Sequence, residues 1–164
     1  MSSAHDEMLE QIAVERECFR TFHRFFRIAD GGNPEDFRGC FTPNALIEYH
    51  VMPGPVQSFH GRDEFTSRMT RGPRNTGSMV AHVIGQAYID WGTGSPVLTA
   101  YATVWHWYAS TAHLGKDRPV DWTVVGLVVD EFEEFEDQWL ISKRTVRPVA
   151  GRVALLSADA GRTV

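Results

Sequence analysis

Between Asp6 and Ala29 the apolar residues Ile12, Phe19, Phe22 and Phe26 recur at helical spacing and share one face. The pattern predicts a long amphipathic helix. Asp30-Gly31-Gly32 ends it, since glycine is the usual residue just past a helix C-terminus. Asn33-Pro34-Glu35-Asp36 opens a second, short helix, with Asn33 as its cap and Pro34 at the first helical position. Phe37 and Phe41 turn to the core, and Thr42-Pro43-Asn44 breaks the helix. The pattern then becomes an alternation: Ala45, Ile47, Tyr49 and Val51 lie on one face of an extended stretch. A proline- and glycine-rich loop, MPGPVQSFHGR, leads to a third short helix from Asp63 to Met69. Four further strands are predicted at Ser78–Asp90, Pro96–Ala112, Val120–Glu134 and Gln138–Pro148, the last two joined by a tight turn at Glu136-Asp137. Helices first and long strands after them give an α+β class, with the N-terminal helices packed on a strongly curved, mainly antiparallel sheet.

Length and charge narrow the picture. The 164 residues read as a single domain with a core from about 11 to 149, and 150–164 as a C-terminal tail with a weak apolar pattern. A net charge of −5 with no basic run excludes a dedicated nucleic-acid or anionic-membrane surface. No apolar stretch approaches the roughly 20 residues of a membrane span, and MSSAHDEMLEQ is no secretory signal, so a cytoplasmic protein is expected. Cys18 and Cys40 are too few for a disulfide framework and read as reduced, buried thiols. The seven histidines show no His-x-x-x-His spacing and Cys-x-x-Cys is absent, so no metal site is expected. There is no nucleophile elbow or P-loop, and DGGN and GTGSP are turns, so no cofactor is expected either.

Candidate chemistry begins with one misplaced residue. His82 sits in the apolar strand MVAHVIGQAYID, and a buried histidine needs a partner for its ring nitrogens. Parity puts His82 on a face with Val80, Ile84, Gln86 and Tyr88. The next strand presents Leu98, Ala100, Ala102, Val104, His106 and Tyr108, whose two alanines leave room for a pocket. Asp30, four residues after Phe26, continues the buried face of the first helix at an end where the helix dipole disfavours negative charge. Alone it would be a surface residue at a helix end. As a partner for His82, it would leave the second ring nitrogen for proton transfer. The acidic run Asp130 to Glu134 reads as the solvated end of a strand pair.

The order FFRIADGGNPEDFRGCF, ALIEYH, MVAHVIGQAYID and WLISKRTVRPV resembles the SnoaL-like branch of the nuclear transport factor 2-like superfamily, over roughly Gln11 to Val149. The resemblance implies a cone-shaped α+β barrel. Its site pattern is similar to members of the scytalone dehydratase and bile-acid 7α-dehydratase type, in which an Asp ending the first helix and a His on a long strand form a general base. Carried over, this implies Asp30 and His82 as the base, with Tyr49 and His106 as further catalytic residues and Arg144 as a substrate-binding one. Phe26, Tyr88 and Tyr108 complete the expected pocket. The helix-borne tyrosine of those enzymes is missing here, Phe25, Phe26 and Ala29 standing nearby, so the proton donor would be Tyr49, His106 or Tyr88.

Two functional readings follow. In the first, a cofactor-independent lyase or isomerase abstracts a proton from a hydrophobic cyclic or aromatic molecule, by dehydration, elimination or isomerisation. In the second, the same fold is a non-catalytic binding or scaffold protein, with Asp30 on the surface and His82 donating to a backbone carbonyl. Trp105, Trp107 and Trp122 are expected on the outer sheet face, which predicts a homo-oligomer, a dimer or else a trimer.

Overall fold

The computed structural model describes residues 3–50, 55–71, 78–92 and 94–154. Helix α1, Ala4–Ala29, opens on a capping box: Ser3 Oγ accepts from the Asp6 N–H, and the Asp6 carboxylate accepts from the Ser3 N–H. Only its C-terminal half is buried, through Cys18, Phe22, Phe25, Phe26, Ile28 and Ala29. Ile12, expected on the buried face, is 54% exposed, because the first turns run past the sheet. At the other end Gly31 and Gly32 both donate to the Ile28 carbonyl. A side chain at Gly32 would stand 2.8 Å from Ile28 Cα, so this tight exit needs glycine. A 3-10 turn, Pro34–Gly39, follows with Asn33 capping the Glu35 N–H.

Strand β1 spans Phe41–Tyr49, so Thr42-Pro43-Asn44 lies inside it rather than before it. Its register with the last strand shifts between Phe41 and Leu46, and that irregularity accommodates Pro43 within the strand. Val51 falls outside the described residues. A four-residue strand, β2 (Gln57–His60), pairs antiparallel with β1 inside the stretch expected to be loop. Helix α2 spans Arg62–Thr70, and β3 spans Met79–Asp90. Strand β4, Val97–Trp107, stops short of the expected Ala112 because the chain turns into a 3-10 segment, Ala109–Leu114. The Asp121 carboxylate holds that corner, accepting from the Tyr108 N–H and the Thr111 hydroxyl at 2.8 and 2.7 Å. Strands β5 (Trp122–Phe135) and β6 (Gln138–Ala154) are joined at Glu136-Asp137, whose φ angles of 50° and 59° mark the expected tight hairpin. Strand β6 runs past the expected end at Pro148, and the rest of the tail lies outside the described residues.

The six strands form one sheet in the order β2-β1-β6-β5-β4-β3, antiparallel except for the parallel β1–β6 pair. Helices followed by this curved sheet give the expected α+β class. Register shifts in β3 and β5 mark where strands bend, as bulges do. The core is aromatic where helices meet sheet: Phe22, Phe25, Phe26, Phe37, Phe41, Phe59 and Phe65 are all buried. Cys18 and Cys40 are buried free thiols in the same core. Among the described residues, no helix is long and apolar enough to cross a membrane.

Candidate active site

His82 enters from β3 and Asp30 from the C-cap of α1. Asp30 Oδ1 lies 2.5 Å from His82 Nδ1, and Oδ2 accepts the His82 backbone N–H at 3.2 Å. A carboxylate can only accept, so Nδ1 carries a ring proton, and Nε2 is the ring nitrogen turned away from Asp30. The side chains are 14% and 33% exposed for His82 and Asp30, which makes this a partly dry contact. The Phe26 ring, one turn before Asp30, packs 5.0 Å from the His82 ring and limits its rotation.

The pair borders a cavity of about 210 Å³ between α1 and the sheet, reached by side chains from β1 to β6. Ala102 stands opposite Gly126 in the β4–β5 register, and this pairing of small residues opens space at the sheet's centre. Val104, Val124, Val128 and Val146 make the rest of the wall apolar. His106, from β4, stacks on Trp122 from β5 at 4.2 Å between ring centroids. Burial, reinforced by the nearby His82 charge, pushes the His106 imidazole down to about 4. It is therefore neutral near pH 7, and its buried Nδ1 has no hydrogen-bond partner among the described residues.

Opposite, Arg144 from β6 and Asp130 from β5 face each other in register, both fully buried. Arg144 Nε and Nη2 donate to the two Asp130 oxygens at 2.7 and 2.5 Å. The guanidinium carbon lies 3.6 Å from the centre of the Phe25 ring, which adds a cation–π contact. Arg144 Nη1 is buried without a hydrogen-bond partner among the described residues. Tyr49, on β1, sits beside this group: burial raises its phenol pKa, and the Arg144 charge pulls it part of the way back.

A model of the SnoaL-like domain matches residues 10–145 of the sequence. The chain belongs to the SnoaL-like family. No curated protein matches this SnoaL-like chain. Solved structures share its fold. The Kfla4162 protein of Kribbella flavida is 20% identical, with a TM-score of 0.71, over 87% of this chain and 95% of the other. A protein of Novosphingobium aromaticivorans, provisionally named a scytalone dehydratase, is 19% identical, with a TM-score of 0.64, over 92% and 91%. A provisionally named dehydratase of the NTF2-like family from Streptomyces avermitilis is 13% identical, with a TM-score of 0.67, over 85% and 99%. At these identities the likeness establishes the fold alone.

Of the residues singled out in the sequence, the SnoaL-like fold brings His82, Tyr49, His106, Arg144 and Phe26 around one cavity, with Asp30 behind His82. Tyr88 is not there. An extra residue between Gly85 and Tyr88, with Gln86 at φ 47°, inverts the parity of β3 and leaves Tyr88 58% exposed. Tyr108 also misses the cavity, because β4 has already ended and its backbone belongs to the Asp121 corner. Trp122, expected outside, lines the cavity instead. Asp130, expected in solvent, is fully buried. Alternation would have found both, since Trp122, Val124, Gly126, Val128 and Asp130 are alternate residues of one strand.

Proposed function

We propose that this SnoaL-like protein is a lyase or isomerase that removes a proton next to a carbonyl in a hydrophobic cyclic substrate. The observation that carries the reading is the Asp30–His82 contact at the edge of an apolar cavity. His82 Nε2 takes the proton from carbon, and the C–H electron pair moves toward the carbonyl oxygen. Tyr49 and Arg144 Nη1 are the donors available to that oxygen. In a dehydration the electron pair then expels hydroxide from the adjacent carbon, and the proton held by His82 leaves with it as water. In an isomerisation the same proton returns to a different carbon. An acid–base group of this kind is worth roughly 10²–10⁴-fold in rate.

The test needs no knowledge of the natural substrate. Small cyclic ketones such as 2-tetralone exchange the protons beside their carbonyl for deuterium in D2O, and proton NMR follows the loss. The protein is expected to accelerate that exchange, and His82→Gln to abolish the acceleration while the far-UV spectrum stays native. Acceleration that survives in His82→Gln would sink the reading.

The partner reading is a second copy of this chain. The outer face of the sheet exposes Val83, Tyr101 and Trp105, the last at 39%, a larger apolar surface than isolated side chains present. A homodimer is expected by light scattering, and a monomer at micromolar concentration would exclude it.

A further inference from the structure

Arg144 borders the cavity, yet its charge is already matched. Both Asp130 oxygens accept N–H donors from it, a bidentate contact between guanidinium and carboxylate in which the fully buried pair balances its own charge. What remains for a ligand is one buried donor, Nη1, with no partner among the described residues. A buried donor left unpaired is costly, and a cavity that keeps one is shaped for an acceptor from outside. Phe25, Phe26, Val128 and Val146 beside it are apolar, and the Tyr49 hydroxyl is the polar group next to the guanidinium.

We propose that this pole selects an uncharged oxygen, a ketone or aldehyde carbonyl or a phenol on an apolar fused-ring frame, and rejects carboxylates. The proposal rests on the catalytic reading above and names the substrate class of that site. A carboxylate would bring a full negative charge into a dry space. There it would meet one guanidinium nitrogen and the Tyr49 hydroxyl, with the Asp130 carboxylate directly behind the guanidinium. A neutral carbonyl takes the same hydrogen bond with no charge to desolvate. Negative charge then reaches its oxygen only as the C–H bond breaks, when the Nη1 and Tyr49 donors gain most. The cavity's roughly 210 Å³ suits about two fused six-membered rings at ordinary packing density. Asp130 is thus a specificity-determining residue acting through Arg144, a role that a simple anion-binding arginine would not need.

The experiment compares three probes of one shape by isothermal titration near pH 7: naphthalene, 2-naphthol and 2-naphthoate. The full-length protein is expected to bind 2-naphthol roughly ten- to hundredfold more tightly than naphthalene, the range for a hydrogen bond to a charged donor. 2-Naphthoate is expected to bind at least tenfold more weakly than 2-naphthol. Asp130→Asn frees the guanidinium charge and should reverse that order in favour of 2-naphthoate. If that variant fails to fold, Tyr49→Phe, which leaves the ion pair intact, should still reject 2-naphthoate while losing part of the preference for 2-naphthol. Wild-type binding of 2-naphthoate as tight as 2-naphthol would overturn the proposal. So would a 2-naphthol affinity no better than that of naphthalene, or no measurable 2-naphthol binding. These are binding ratios and do not depend on turnover. Absent deuterium exchange with the expected ratios would remove only the catalytic reading, and exchange with reversed ratios would remove only this one.

Discussion

The Asp30 carboxylate grips His82 at two points, the ring Nδ1 at 2.5 Å and the backbone N–H at 3.2 Å. A single contact would fix the ring's tautomer. The second ties the helix end to the strand backbone, so ring and carboxylate stay in register when either element moves. The glycine exit after Asp30 has the same consequence, because any side chain at Gly32 would collide with Ile28 and push the carboxylate off β3. In the proposed reaction Asp30 is therefore a positioning residue, acting on substrate only through His82.

That role predicts a separable defect. In Asp30→Asn the amide still fills the space, but one of its two polar atoms is a donor facing donors. The His82 ring loses its fixed tautomer, and deuterium exchange is expected to fall roughly 10²-fold, within the range for a disabled base. Binding of 2-naphthol should stay within about twofold. Nitrogen NMR of the ring provides a signature that a purely structural role would not move: one dominant Nδ1–H tautomer in the wild type and a mixture in the variant. An unchanged exchange rate would refute the assignment.

The buried Asp130–Arg144 pair predicts strong non-additivity. Removing either partner leaves an unpaired charge in the core, so Asp130→Leu and Arg144→Met are each expected to cost about 3–5 kcal/mol in urea unfolding. The double variant replaces both charges with apolar groups of similar length and is expected to lose less than either single change. The coupling lies in the shared burial and bidentate contact, and additive losses would show that the two side chains are independent.

Much of this was legible in the chain. The 3.6-residue pattern of α1 and the period-2 strands give the fold class, and the misplaced His82 with an Asp at a helix end gives the dyad. Parity failed where the backbone breaks it. The extra residue beside Gln86 turns Tyr88 outward, and the end of β4 at Trp107 removes Tyr108. Asp130 was hidden for another reason: its neighbours Glu131, Glu133 and Glu134 make the run look solvated, although alternation sends Asp130 inward to meet Arg144. A charged residue in an acidic run reveals its burial only through its partner, and that partner lies fourteen residues away across a hairpin.

The two cysteines offer a check on the core itself. Both are fully buried, and burial pushes the thiols up to about 12 for Cys18 and about 11 for Cys40. The thiolate is the reacting form, so native protein at pH 8 is expected to react with a disulfide reagent only as fast as it unfolds. A burst of one thiol equivalent on mixing would mean that the α1 core opens locally.

The last prediction concerns acid. Burial, with the charge of His82 adding to it, lowers His106 from its ordinary 6.5 to about 4. Between those values the unfolded chain binds a proton that the folded chain refuses. Stability contributed by His106 is thus complete above pH 6.5 and is lost progressively as pH falls toward 4. Carboxylates also lose stability in acid, so the slope alone proves nothing. A His106→Phe variant, which keeps a ring against Trp122 and removes the titration, isolates the contribution. Its urea midpoint is expected to fall less steeply than that of the wild type between pH 6.5 and 4, with the two curves parallel at higher pH. Parallel curves throughout the range would mean that His106 takes up its proton at the same pH in the folded and the unfolded chain. Below that pH the cavity would then hold a cation facing His82 rather than a neutral ring.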